Sequence, residues 1–266
     1  MIPRASSRQA PIIAVRDFTA GYDGQVLLRA LSFDIFTGEV FVILGGSGSG
    51  KSTLLKHMIG LHRPVSGSIR IEDKDIVTAQ GQQRLDILAR IGVMYQQGAL
   101  FGSMTLLENV RLPLEEYTDL PADAIDRIAL MKLQLVGLGS AAHKRPDEIS
   151  GGMTKRAAIA RAMALDPPIL FLDEPSAGLD PITSAELDQL ILSLARHLKI
   201  TFVVVTHELA SIETIADRVI MLDKRTQGIV AEGRPQELRD RSDNPWVRQF
   251  FHREPKAAAA SFRALP

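Results

Sequence analysis

The sequence predicts an α/β fold, a mostly parallel sheet flanked by helices, with an antiparallel β subdomain beside it and a helical subdomain inserted into it. Two observations carry this reading. Residues 40–44, 169–172 and 202–205 are short continuous apolar runs, largely β-branched or aromatic, as strands buried on both faces are. Each run stops at glycine or polar residues, namely Gly45, Asp173 and Thr206-His207. In open α/β sheets the ligand sits outside the carboxyl ends of the strands, so three such ends point to one cleft.

The elements follow in order. Residues 12–18 and 31–35 roughly alternate around Gly21-Tyr22-Asp23-Gly24 and predict antiparallel strands. The strand over 40–44 feeds a glycine-rich loop and a helix over 52–59 that stops at Gly60. Residues 97–165 read as mainly helical: Pro121 opens a helix, Ala122–Leu135 continues it and Gly137-Leu138-Gly139 ends it. Gly228–Gly233 reads as a strand and turn, and Pro235 starts a helix. The main domain is expected over 11–241, after a disordered leader over 1–10. In the extension over 242–266, Trp246, Val247, Phe250 and Phe251 form one apolar face of a short helix, suited to its own domain or to a partner. The segment from Pro255 is low in complexity, and disorder is expected there.

Composition narrows the function. Lys plus Arg and Asp plus Glu both number 31, so no net field attracts nucleic acid, and no nucleic-acid partner is expected. The absence of cysteine excludes thiol catalysis and thiolate metal sites. No run of 18 apolar residues offers a bilayer span. The two arginines near the N-terminus lack the apolar stretch of a secretory signal.

Gly45, Gly46, Ser47, Gly48, Ser49, Gly50, Lys51 and Ser52 fit the phosphate-loop pattern G-x-x-x-x-G-K-[ST] without deviation. The glycines let backbone N–H groups turn toward phosphate oxygens. The following helix, which takes in Thr53, adds its positive end. Lys51 can reach the β- and γ-phosphates, and Ser52 can ligate Mg²⁺. Asp173 ends an apolar strand, where a carboxylate needs a cation or hydrogen bonds. Mg²⁺ on the phosphates supplies one. Glu174, one residue on, can take a proton from an attacking water. A third strand mouth, Thr206-His207, can contact phosphate.

With these motifs the chain resembles the ATP-binding cassette (ABC) ATPases, over nearly all of residues 11–241, and the motifs occur in that family's order. The resemblance implies that Tyr22 stacks on adenine, that Gly45–Ser52 is the Walker A loop, and that Gln96 is the Q-loop glutamine at the Mg²⁺ site. It makes Ser150-Gly151-Gly152 the signature and assigns Asp173 and Glu174 to Walker B and the catalytic glutamate. Asp180, in Ser176-Ala177-Gly178-Leu179-Asp180, falls in the D-loop, and His207 is the switch histidine. It further implies a head-to-tail homodimer with two ATP molecules sandwiched between the loop of one subunit and the signature of the other. A Ser-Gly-Gly helix start is itself an anion site. The signature departs from Leu-Ser-Gly-Gly-Gln at Ile149 and at Met153, where a thioether replaces an amide.

Gln97-Gly98-Ala99-Leu100-Phe101, Ser150 to Met153, Asp180-Pro181-Ile182-Thr183 and the stretch from Pro245 to Phe250 resemble the ATPases of bacterial lipid-asymmetry (Mla) systems. That resemblance implies phospholipid transport between inner and outer membranes, an MlaE-type permease, an Mce-domain lipid-binding protein and often a small STAS-domain protein. It places the chain in the cytoplasm, peripheral on the inner membrane. The competing readings are the ATPase of another importer, such as one for polar amino acids, and a non-transport ABC protein acting on ribosomes or DNA. The single cassette and the lack of heptads count against the last.

Overall fold

The computed structural model describes residues 10–22 and 24–253. The expectations for the leader over 1–9, for Asp23 and for the tail from Pro255 lie outside the described residues.

Strands β1 (Ile13–Tyr22) and β2 (Gln25–Ile35) form a hairpin, with Tyr22 opposite Gln25. Both run further than alternation suggested, because bulges break the period-two pattern. Register shifts fall between Val15 and Phe18 and between Phe18 and Ala20, and Asp17 and Ala30 take φ of 46° and 50°. Strand β3 (Val40–Gly45) leads into helix α1 (Lys51–Met58). Strands β4 (Ser66–Ile71) and β5 (Lys74–Asp75) complete an antiparallel sheet of order β2-β1-β4-β5. Helix α2 (Gly81–Leu88) and strand β6 (Ile91–Met94) follow.

Between β6 and the strand β7 (Ile169–Asp173) lie α3 (Leu106–Tyr117), α4 (Ala122–Leu135) and α5 (Gly151–Ala162). Thr105 and Glu108 cap the start of α3 reciprocally. Asn109, fully buried on α3, accepts from Phe101 N–H and donates to the Phe101, Met104 and Thr105 carbonyls, fixing the connection out of β6. Then come α6 (Pro181–Leu198), β8 (Thr201–Val205), α7 (Leu209–Ile215), β9 (Arg218–Asp223), β10 (Gly228–Gly233), α8 (Pro235–Arg241) and α9 (Pro245–His252).

The six-stranded sheet has the order β10-β9-β3-β8-β7-β6 and is parallel except for β10. Its side chains alternate between two cores. Val42, Leu172 and Val204 face a core shared with α3 to α9, while Ile43, Phe171 and Val205 face one shared with the antiparallel sheet and α1. Burial on both faces is why these strands read as continuous apolar runs. Helix α9 turns Val247 and Phe251 into the first core, with Trp246 and Phe250 packed against it, so its apolar face is spent on its own domain. No described helix is long and apolar enough to cross a membrane.

One buried acid, Asp188 on α6, has its pKa raised from 3.8 to about 6. Burial is the main cause and the Glu208 carboxylate adds to it, while the Ser211 hydroxyl pulls the other way. Between those two values the folded chain holds a proton that the unfolded chain has lost. Raising the pH from about 4 to about 6 therefore lowers stability, by about 3 kcal/mol at 1.36 kcal/mol per pH unit. Asp188→Asn should recover about that amount at pH 7.5 and almost nothing at pH 4, measured by urea unfolding at both.

Candidate functional site

The site grows from strand mouths that the sheet register sets level. Ile43 and Asp173 both pair with Val205, on either side of it. The residues that follow each strand therefore open on one edge.

From β3 the chain enters the glycine loop. Gly45, Gly48 and Gly50 have φ of 153°, 73° and 96°, where a Cβ is strained. A Cβ on Gly45 would meet the Leu222 carbonyl oxygen at 2.5 Å, and one on Gly50 the Leu28 side chain at 2.7 Å. The first turn of α1 has no side-chain cap and no acidic residue, so its N–H groups and positive end are free for an anion. Lys51 curls back over the loop, and its amine donates to the carbonyls of Gly45 (2.9 Å) and Gly46 (3.2 Å). Burial lowers the Lys51 pKa, partly offset by Glu174 and Asp173. The Ser49 hydroxyl is buried without a protein partner.

Asp173 closes β7. Burial, then the neighbouring Glu174 charge, raises its pKa, while Lys56, Lys51 and Lys155 pull it down. Glu174 has φ of 47°, a conformation that costs a non-glycine residue about 1 kcal/mol or more. Its N–H donates to the Val205 carbonyl at 2.8 Å. Its Oε1 lies 2.8 Å from His207 Nδ1, while Oε2 is buried and unpartnered. A proton on Nδ1 makes the imidazole a donor that orients the carboxylate and leaves Oε2 for a substrate water.

Tyr22 ends β1 with its ring half exposed and meets His62 edge-on at 5.9 Å. That contact lies past the C-terminal end of α1, and the exposed ring face is free to stack. Gln96 follows β6, and the structure anchors its backbone: its carbonyl accepts from the Lys155 amine.

Ser150 caps α5 by accepting from Met153 N–H. The positions around Gly151 and Gly152 are packed by Leu179 and Thr183, whereas the glycines of the phosphate loop face Leu28, Leu222, Lys224 and Trp246. The signature turn therefore rests on its own D-loop. Asp180 uses its carboxylate to cap α6, with Oδ1 accepting from Ile182 and Thr183 N–H and Oδ2 from the Thr183 hydroxyl. The Thr183 methyl so held would lie 2.4 Å from a Cβ on Gly152. Gly152→Ala should thus disturb the signature turn at an overpacking cost of about 1–3 kcal/mol, and Thr183→Ser, which removes that methyl and keeps the hydroxyl, should restore much of it. Unfolding and ATPase assays of the single and double variants check this. Met153 packs against the apolar core, which accounts for a thioether at that position.

Three contacts were not foreseen from sequence. The motifs single out neither Lys155 nor Arg161, yet the Lys155 amine donates to the Gln96 carbonyl. Arg161 donates to the carbonyls of Gly98 (3.0 Å) and Ala99 (2.7 Å). The available signal was spacing, since Lys155 falls three residues after Gly152 and four before Ile159, both buried. Trp246 of α9 approaches Gly46, 3.9 Å from a Cβ built there, a contact between sequence-distant residues that no local pattern announces.

The level strand mouths, the glycine loop on α1 and the paired Glu174 and His207 define a phosphate-loop nucleoside triphosphatase. The family model for ABC transporters matches residues 28–177, and the chain belongs to that family as an ATP-binding, ATP-hydrolysing cassette. It is 39% identical over 243 residues to the intermembrane phospholipid transport system ATP-binding protein MlaF of Escherichia coli K12, covering 91% of this chain and 89% of MlaF. It is 44% identical over 240 residues to a protein of Mycobacterium leprae named Probable ribonucleotide transport ATP-binding protein mkl, covering 90% of this chain and 68% of that one. Among solved structures, the cassette MJ0796, a dimer in a post-hydrolysis state bound to ADP and Pi, is 31% identical with a TM-score of 0.75. That match covers 84% of this chain and 98% of MJ0796.

Proposed function

We propose that this chain is the ATP-hydrolysing subunit of a transporter that moves phospholipid between the inner and outer membranes. The observation that carries this reading is the 39% identity to MlaF across about nine-tenths of both chains. The four stretches at 97–101, 150–153, 180–183 and 245–250 support it.

In this reading the loop Gly45 to Ser52, with Thr53, holds the ATP phosphates, Lys51 neutralises their charge and Tyr22 stacks on adenine. The site fits Mg²⁺. Asp173 ends β7 as a carboxylate drawn on by the Lys56, Lys51 and Lys155 charges, and no cluster of three or more His, Cys, Asp or Glu among the described residues could cage a metal. A metal that arrives with the phosphates suits that donor set. Ser52, Asp173 and Gln96 would hold it, and it would supply charge neutralisation at the phosphates. Glu174, oriented by His207, accepts the proton of the attacking water. Ser150, Gly151 and Gly152 serve the nucleotide of a second copy, and Asp180 shapes that turn through Thr183. The dimer meets an MlaE-type permease through the helices of residues 97–165 on the cytoplasmic face of the inner membrane, with an Mce-domain protein beyond it and a STAS-domain protein as a further subunit.

The name of the mycobacterial relative favours a second reading, ribonucleotide transport. Purification of the native complex and mass spectrometry of what it carries separates the two. Bound glycerophospholipid, with ATPase activity raised by phospholipid vesicles, is the expected result. Bound ribonucleotide beyond the ATP sites, with no response to lipid, would overturn it.

A further inference from the structure

The signature helix sends a cation back into the catalytic centre. Lys155 on α5 is buried in spite of its charge. Its amine donates to the backbone carbonyl of Gln96 and, at 3.5 Å, to that of Glu174. A buried ammonium persists only where hydrogen bonds compensate it, and here both acceptors belong to residues of the ATP site. Glu174 takes a left-handed φ of 47° and is followed by Pro175, which has no N–H. Its backbone is held on both sides: its N–H donates to the Val205 carbonyl and its own carbonyl accepts from Lys155. Arg161, further along α5, pins the carbonyls of Gly98 and Ala99. One helix therefore grips the segment after β6 at three carbonyls and the Glu174 peptide at a fourth.

We propose that Lys155 is a positioning residue for hydrolysis, setting the Glu174 peptide and the Gln96 turn against the helix whose start carries the signature. A displacement of α5 is then felt directly at the base, which ties the signature of a subunit to that subunit's own catalytic carboxylate. This rests on the reading of Glu174 as the base. A purely structural role gives a different expectation, because leaving the Gln96 and Glu174 carbonyls without their donor lowers stability and leaves the turnover of the folded protein unchanged. The two roles therefore separate in the kcat of the folded variant.

The test is steady-state ATPase kinetics and thermal unfolding of full-length Lys155→Met and Lys155→Arg, with Glu174→Gln alongside. Assayed well below its unfolding midpoint, which should fall with the loss of two carbonyl hydrogen bonds, Lys155→Met should lose about tenfold or more in kcat with KM for ATP changed less than about threefold. Lys155→Arg should recover about half or more of wild-type kcat, since it keeps the donor and the charge. Wild-type kcat in Lys155→Met would overturn the proposal, as would a loss that appears in KM or an arginine variant as impaired as the methionine one. Should Lys155→Met not fold, Lys155→Gln takes its place under the same criteria. If Glu174→Gln hydrolyses ATP at full speed, the assignment of the base fails whatever Lys155 does. If Glu174→Gln is inactive and Lys155→Met is normal, only the Lys155 proposal fails.

Discussion

Glu174→Gln is expected to abolish turnover, by about 10² to 10⁴-fold, while ATP binding stays within a few-fold of wild type. The substitution is nearly isosteric. A glutamine oxygen can still face His207 Nδ1, which lies 2.8 Å from Oε1, so the orientation of the side chain is retained. The basicity is not retained, and an amide cannot take the proton of a water. The same change removes one of the two charges that crowd the mouth of β7, where Glu174 helps raise the pKa of Asp173. The variant should therefore bind nucleotide at least as readily as wild type while failing to release it through hydrolysis. Fluorescent-ATP titration and a phosphate-release assay read the two properties separately. Full-speed phosphate release would remove Glu174 as the base.

Lys51→Ala should show the reverse pattern. The Lys51 amine lies across the loop, bonded to the Gly45 and Gly46 carbonyls, and a bound phosphate offers it a charged acceptor. Hydrogen bonds to charged groups contribute about 1.5–3 kcal/mol, so ATP affinity should fall by about tenfold to a hundredfold. Stability should change little, because burial already disfavours the charged amine, and alanine removes that cost together with two carbonyl contacts. Titration of ATP and urea unfolding of the same preparation check both halves. Equal ATP affinity in Lys51→Ala and Glu174→Gln would contradict the division of roles.

Much of this was legible in the sequence, for identifiable physical reasons. Strands buried on both faces announce themselves as continuous apolar runs, which is why β3, β7 and β8 could be placed. Their polar ends then marked the edge where Gly45, Asp173 and His207 meet. Hairpin β1–β2 was read too short because the bulges near Asp17 and Ala30 interrupt alternation. The glycine loop was plain because its backbone geometry excludes side chains at Gly45 and Gly50. The supports of the site were not legible. Lys155, Arg161 and Thr183 act through contacts with carbonyls or with a glycine far along the chain, and a cation on a helix carries no mark of which carbonyl it will find. Asp180 shows the same limit: motif order places it in the D-loop, but not the hydrogen bonds by which its carboxylate caps α6 and thereby holds Thr183 against the Gly152 turn.

In the proposed dimer ATP closes a site built from two copies, the phosphate loop of one and the Ser150-Gly151-Gly152 turn of the other. Sedimentation equilibrium of Glu174→Gln with and without ATP and Mg²⁺ tests it most directly. The expected result is monomer without ATP, dimer with it, and monomer again when Ser150→Arg is added, because a bulky cation at the helix start blocks the approach of the facing loop. A Glu174→Gln chain that binds ATP and remains monomeric, or an ATP-dependent dimer indifferent to Ser150→Arg, would contradict it.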